Sequence, residues 1–282
     1  MRANSLSRAP LNQSRFSRRE WLRLGAGALL SLGIWPGCAR FANNGRGGNF
    51  TFVVINDTHY QSQKCGAWFE RVATSIKSHN PKPELCLMVG DLAEHGTAAE
   101  LGAMRDALRS FGVPFHAVIG NHDYVNPIDR RPYEDLFPQC VNYHFAHRGW
   151  RFIGLDSSEG INYRNTRIQP ATFQWLDQTL PKLDRAQPTV VFTHFPLGDG
   201  VLMRPMNADD LLARLLDFNL VAVFSGHFHG FTERTVRRTV LTTNKCCAIS
   251  RGNHDGTKEK GYFLCTASAD GIQREFIEIQ AG

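Results

Sequence analysis

An α/β fold is what this sequence predicts, on three observations. From residue 50 onward, short apolar runs rich in β-branched and aromatic residues alternate with segments whose apolar residues recur at helical spacing. Five of those runs end in Asp, Asn or His. Residues 230–280 alternate β-branched and polar side chains, so they read as further strands.

The elements follow in order. Phe50-Thr51-Phe52-Val53-Val54-Ile55-Asn56 is the first strand and runs into Asp57-Thr58-His59. Residues 66–79 put Trp68, Val72 and Ile76 at helical spacing. Leu85-Cys86-Leu87-Met88-Val89 is the second strand and ends in Gly90-Asp91; a helix over 97–111 follows. Phe115-His116-Ala117-Val118-Ile119 is the third strand and ends in Gly120-Asn121-His122-Asp123. Tyr133 to Phe137 predicts a short helix closed by Pro138, and Tyr143–Phe145 and Arg151–Leu155 predict two antiparallel strands. Pro170 starts a helix with Phe173, Leu176 and Leu180 on one face. Thr189–Thr193 is a strand ending in His194. Asn207-Ala208-Asp209-Asp210 predicts a capped helix through Phe218. Val221–Ser225 is a strand ending in Gly226-His227-Phe228-His229.

Residues 1–39 read as an address. Ser17-Arg18-Arg19-Glu20-Trp21-Leu22 precedes a weakly apolar run from Leu24 to Trp35, too short to span a bilayer as a mature helix. The paired arginines resemble a bacterial twin-arginine signal, which predicts an exported protein of the periplasm or cell envelope and the twin-arginine machinery as a partner. Gly37-Cys38 leaves open a lipid anchor at Cys38. Residues 40–49, rich in Gly and Asn, read as a flexible linker, and 50–282 as the folded domain.

The net charge of +6 sits almost wholly in that leader: six arginines against Glu20 give +5 over residues 1–39, leaving about +1 for the rest. A nearly neutral body lacks the electrostatic footprint of a nucleic-acid binder. None of the seven cysteines forms a CxxC pair, which argues against a thiolate zinc site, and Cys86 lies in a core-like run.

The recurrent event is a strand followed by a metal-type donor. Asp57, His59, Asp91, Asn121, His194, His227 and His229 offer three oxygen and four nitrogen donors. That is too many for one tetrahedral ion and suits two ions sharing a carboxylate. In an open α/β sheet the carboxyl ends of strands are where ligands gather.

The ordered set Asp57-x-His59, Gly90-Asp91, Gly120-Asn121-His122-Asp123, His194 and Gly226-His227-x-His229 resembles the calcineurin-like metallophosphoesterase superfamily, in particular its cyclic-nucleotide-phosphodiesterase-like and purple-acid-phosphatase-related branch. The resemblance covers residues 50–265 and implies a four-layer sandwich of two mixed β-sheets flanked by α-helices. It implies that Asp57, His59, Asp91 and His229 bind one metal, that Asp91 bridges, and that Asn121, His194 and His227 complete the second. The ions would be divalent or mixed-valence, with Fe, Mn, Zn and Ni not distinguished by these donors. The implied reaction is hydrolysis of a small phosphodiester or phosphomonoester by water acidified between the ions. His122 would aid the leaving group or the phosphoryl charge. Asp123 either fixes the His122 tautomer or makes a loop hydrogen bond. The first motif is Asp-x-His, and Tyr60 is out of register with the metal-binding Tyr of purple enzymes, so the tyrosinate-coloured subtype is disfavoured. Alternatives are a pyrophosphatase of nucleotide or lipid-linked diphosphates, and a non-catalytic scaffold.

Arg251-Gly252-Asn253-His254-Asp255-Gly256 repeats the Gly-Asn-His-Asp string but reads as a structural turn near the site mouth. Trp68, Trp150 and Trp175 are expected in the core, and His79, His95, His116, His144 and His147 at packed or surface positions. Substrate choice falls to the loops at 60–66, 124–142, 157–169 and 197–206.

Overall fold

The computed structural model describes residues 47–280. The export signal, Arg18-Arg19, Cys38 and most of the 40–49 linker lie outside the described residues. Among the described residues, no helix is long and apolar enough to cross a membrane.

Among the described residues, eleven strands and five α-helices follow the expected order. They are β1 (Phe50–Ile55), α1 (Gln63–Ser78), β2 (Cys86–Val89), α2 (Ala98–Ser110), β3 (Phe115–Val118), α3 (Arg131–Leu136), β4 (Tyr143–His147), β5 (Trp150–Leu155), α4 (Pro170–Thr179), β6 (Thr189–Thr193), α5 (Ala208–Leu215), β7 (Leu220–Ser225), β8 (Thr232–Val236), β9 (Thr239–Thr243), β10 (Gly261–Ser268) and β11 (Gly271–Glu278). One mixed sheet has the order β11-β10-β1-β2-β3, the other β4-β5-β6-β7-β9-β8. β1, β2 and β3 run parallel in the first, and β5, β6, β7 and β9 in the second. Antiparallel strands close both ends of the second sheet and one end of the first.

The period of two along each strand divides the core. Phe52, Val54, Leu87 and Val89 face Phe152, Val190, Phe192 and Phe224 between the sheets. The intervening Val53, Ile55 and Met88 pack on Trp68, Phe69, Val72 and Ile76 of α1 and on Leu101, Met104 and Leu108 of α2. On the far side Ile153, Val191 and Val223 pack on Leu176 of α4 and on Leu211, Leu212 and Leu215 of α5. Helix, sheet, sheet and helix make four layers. β1, β2, β5 and β6 are buried at every residue, hence on both faces, which is why they read as largely apolar runs.

Two local expectations change. α2 opens with a capping box, Thr97 and Glu100 exchanging hydrogen bonds. Asn207 makes no such cap for α5: its Oδ1 accepts from Ile168 N (2.9 Å) and its Nδ2 donates to Ile168 O (3.0 Å), tying the 157–169 loop to the helix start. α5 also ends at Leu215 rather than Phe218. Trp68 and Trp150 are buried and Trp175 is half-buried. The six cysteines from Cys65 onward are free.

Candidate metal centre

Five of the seven parallel strands aim a donor from their carboxyl ends at one place. β1 delivers Asp57 and His59, β2 Asp91, and β3 the short 3-10 turn Asn121–Asp123, all from the first sheet. β6 delivers His194, and β7 His227 and His229, from the second. Backbone hydrogen bonds lock the loops together: Asp57 N donates to Gly90 O (3.2 Å), His59 N to Asp91 O (3.0 Å), and Gly226 N to His194 O (2.9 Å).

Five of these residues hold left-handed backbone: Asp57 (φ 52°), His59 (42°), Asp91 (52°), His227 (65°) and His229 (48°). That conformation is costly for a residue with a side chain, and concentrates where the surrounding structure forces it for a function. Gly120 is required for a second reason. A Cβ there would lie 2.2 Å from Asp91 Oδ1 and 2.3 Å from Asp91 N.

The seven donors expected from the sequence all come together and are buried. His229 Nε2 lies 3.3 Å from Asp57 Oδ1 and 3.2 Å from His59 Nε2. His194 Nε2 lies 3.2 Å from Asn121 Oδ1 and 3.2 Å from His227 Nδ1. Asp91 divides between the groups, with Oδ2 3.6 Å from His59 Nε2 and Oδ1 3.3 Å from His194 Nε2. Two of the three groups placed to hold a metal ion follow the same split, Asp57-His59-Asp91-His229 and Asp91-His194-His227; the third is His59-Glu94-His122.

The outer nitrogens show that these side chains fit a metal. His194 Nδ1 donates to Val89 O (2.9 Å), His227 Nε2 to Tyr163 O (3.0 Å) and His229 Nδ1 to Gly252 O (3.2 Å). A carbonyl only accepts, so each outer nitrogen carries a proton, and a ring in its neutral form turns a lone pair inward. With both rings neutral, lone pairs of His194 and His227 would face each other at 3.2 Å, an approach reconciled by a shared cation or by a proton on His194 Nε2. The charges agree. Burial by itself would raise Asp57 and Asp91, but the facing histidines hold both carboxyls below the usual range. Burial by itself would lower His229 and His194, yet the carboxylates raise them to about 11 and about 9. Burial keeps His59 and His227 down at about 3. The pocket thus demands positive charge, and protons supply it where no cation does.

His122 stands at the rim, its side chain partly exposed. Its N–H donates to Asp91 Oδ1 (2.9 Å) and its Nδ1 to Glu94 O (2.8 Å), which leaves Nε2 free to face a ligand. Asp123 does not orient it. The Asp123 carboxylate is fully buried and accepts from Ala93 N (2.9 Å) and Gly120 N (2.8 Å), so the loop hydrogen bond is what this residue makes. Burial and the nearby Asp91 push it up to about 7.

Glu94 was not singled out by the sequence. Its Oε2 lies 3.1 Å from His59 Nδ1, off the hydrogen-bonding direction, and both its oxygens pair with Arg251. Its signal was its place three residues after Asp91 on the same loop. The 251–256 turn lies where expected, at the site mouth, and supports it: Gly252 O orients His229, and the His254 ring stacks on His229 at 5.0 Å. Tyr60 is turned away, stacked on Phe69 in the helix-side core.

Two mixed sheets that converge acidic and imidazole donors on one buried pocket define a metal-dependent hydrolase architecture. Residues 50–231 match the family model for calcineurin-like phosphoesterases, and the chain belongs to that family of metal-dependent phosphoric ester hydrolases. It is 28% identical over 211 residues to the glycerophosphodiester phosphodiesterase GpdQ of Enterobacter lignolyticus, covering 67% of this chain and 74% of that protein. Its fold resembles the purple acid phosphatase of yellow lupin seeds (TM-score 0.61, 12% identity, 82% of this chain and 52% of that one). It also resembles GAP50, the anchor in the inner membrane complex of Plasmodium (TM-score 0.60, 17% identity, 83% and 86%). One fold thus serves an enzyme and an anchor, so activity turns on the donors.

Proposed function

We propose that this protein is an exported phosphoesterase that cleaves small phosphodiesters, or phosphomonoesters, at a two-metal centre. The observation that carries this reading is the complete donor set from five strand ends, with Asp91 presenting one oxygen to each half. Asp57, His59, Asp91 and His229 would hold one ion, and Asp91, Asn121, His194 and His227 the other. Bound there, divalent ions would supply an acidified water and neutralise phosphate charge.

The chain's own residues do the rest. The carbonyls of Val89, Tyr163 and Gly252 hold three donor rings in one tautomer and orientation. His122, anchored through Nδ1, presents Nε2 over the pocket, placed to donate a proton to a leaving oxygen or to stabilise phosphoryl charge. The export half of the reading is supported by Arg18-Arg19 and the short apolar run after them. A glycerophosphodiesterase among the relatives supports the diester half.

The test is hydrolysis of a chromogenic diester and monoester by the full-length protein, metal-stripped and then supplied with Mn²⁺, beside Asp91→Asn. Metal-dependent turnover that the variant loses is expected, and the preferred ester separates phosphodiesterase from phosphatase. Absence of both turnover and metal binding by calorimetry would leave the scaffold reading.

A further inference from the structure

The mouth of the centre has a chemistry of its own. Eight large apolar side chains are exposed among the described residues, and four of them, Val125, Ile128, Ile161 and Tyr163, sit on the two loops 124–129 and 160–163 beside His122. Exposed apolar groups gathered at one place mark a binding surface more often than scattered ones do. Three of the four, Val125, Ile161 and Tyr163, line a cavity of about 490 Å³ together with Asn121 and His122.

This wall is built rather than incidental. Val125 N donates to Asp129 O (2.9 Å), and Asn126 Oδ1 accepts from Ile128 N (3.2 Å) and Asp129 N (3.1 Å), so the first loop is braced from within. Gly160 holds a positive φ of 56°, and a Cβ there would lie 2.0 Å from Pro127 O, so the two loops meet backbone to backbone. Tyr163 is tied to the centre itself, since its carbonyl accepts from His227 Nε2. The cavity's charge is equally telling. Its lining holds a single guanidinium, Arg251, already neutralised by both oxygens of Glu94, and no ammonium. The Arg164 guanidinium lies over the Tyr163 ring, 5.2 Å from its centroid, outside the cavity lining; within that lining a second phosphate would find no unpaired guanidinium or ammonium, and a polyol would meet Val, Ile and the Tyr ring.

We propose that the substrate is a monoanionic phosphodiester carrying one uncharged, apolar ester group, alkyl or aryl, which lies on Val125, Ile161 and Tyr163 while the phosphate enters at Asn121 and His122. This rests on the phosphoesterase reading and narrows it. Burying each further methylene on the wall should tighten binding by about two- to fourfold until the wall is covered.

The experiment uses the full-length protein with Mn²⁺ and a series of 4-nitrophenyl diesters whose second group is methyl, butyl, octyl or phenyl. Dissociation constants of methyl-, butyl- and octylphosphonate are measured beside it by calorimetry. KM and the phosphonate dissociation constant should both fall with chain length while kcat changes little, and a Val125→Ser/Ile161→Ser double variant should flatten both dependences. A butyl or octyl ester favoured over phenyl assigns an alkyl source; the reverse assigns an aryl one. Turnover of the methyl ester with no gain along the series overturns the apolar-ester inference and leaves the phosphodiesterase intact. If no diester is cleaved, the phosphodiesterase reading fails, and the phosphonate series still decides the wall: a flat series removes it.

Discussion

Glu94 is where the support of two histidines meets. Its side chain faces His59 Nδ1 and holds Arg251, while its carbonyl fixes His122. Replacing it with Gln keeps the carbonyl, removes the negative charge beside His59 and leaves Arg251 without its ion pair. Glu94→Gln is expected to weaken metal binding by about 10- to 100-fold, read by titration of the stripped protein. A variant that binds metal as tightly as the parent would show that the carboxylate only anchors Arg251. His122→Asn should do the opposite: metal binding held, kcat down by about 10²- to 10⁴-fold. The difference between these residues and the seven donors is also one of legibility. Asp57, His59, Asp91, Asn121, His194, His227 and His229 could be picked from the chain because each follows an apolar run. Glu94 and Arg251 become partners only across 157 residues, which no local pattern encodes. Of the two uses the sequence left open for Asp123, the loop hydrogen bond is the one it makes, because adjacency along the chain is not contact. On a 3-10 turn the two side chains diverge, His122 to the cavity lining and Asp123 to Ala93 N.

At the scale of the element, the strand end is the working unit. A buried strand stops, and just beyond it the donor delivered to the pocket itself holds left-handed backbone, at Asp57 after β1, Asp91 after β2 and His227 after β7. Gly120 makes this possible for β3, because the turn that carries Asn121 and His122 passes against the backbone and carboxylate of Asp91. Gly120→Ala must therefore push either β3 or Asp91 aside. We expect a loss of about 1–3 kcal/mol in stability together with lost metal binding, measured by urea unfolding and calorimetry. Normal metal affinity in that variant would mean the turn relaxes freely. The sequence announced this geometry through Gly-Asp, Gly-Asn-His-Asp and Gly-His-x-His after apolar runs, and its strand limits agree with the structure to a residue or two. Asn207 was misread because a polar residue before a helix has two uses, capping its own helix or tying another loop. The contact with Ile168 that decides between them is tertiary.

The whole molecule must keep two sheets in register, because the centre draws donors from both. At one edge β3 of the first sheet meets β4 of the second: the His116 ring stacks on Phe145 at 3.6 Å, and Tyr143 Oη donates to Ala117 O (2.7 Å). Burial, with a smaller push from His147, lowers His116 to about 4 from the ordinary 6.5, so the folded protein holds this ring neutral. The sign follows from proton counting. Between those values the unfolded chain binds the proton and the folded one does not, so stability is full above about pH 6.5 and drains away as the pH falls toward 4. The half-buried ring keeps part of its solvation, which limits the loss to about 1–2 kcal/mol. His116→Phe keeps the stack and removes the titration. Subtracting its urea-unfolding free energies from those of the parent at pH 7 and pH 4.5 cancels the groups that titrate in both proteins. We expect the parent to lose more stability on acidification than the variant does. Equal losses would mean that the ring is protonated within the fold and that the contact between the sheets does not sense pH. The contact lies away from the donors, so the difference should be the same for metal-stripped and Mn²⁺-loaded protein. A difference that vanished on loading would instead place its origin at the centre.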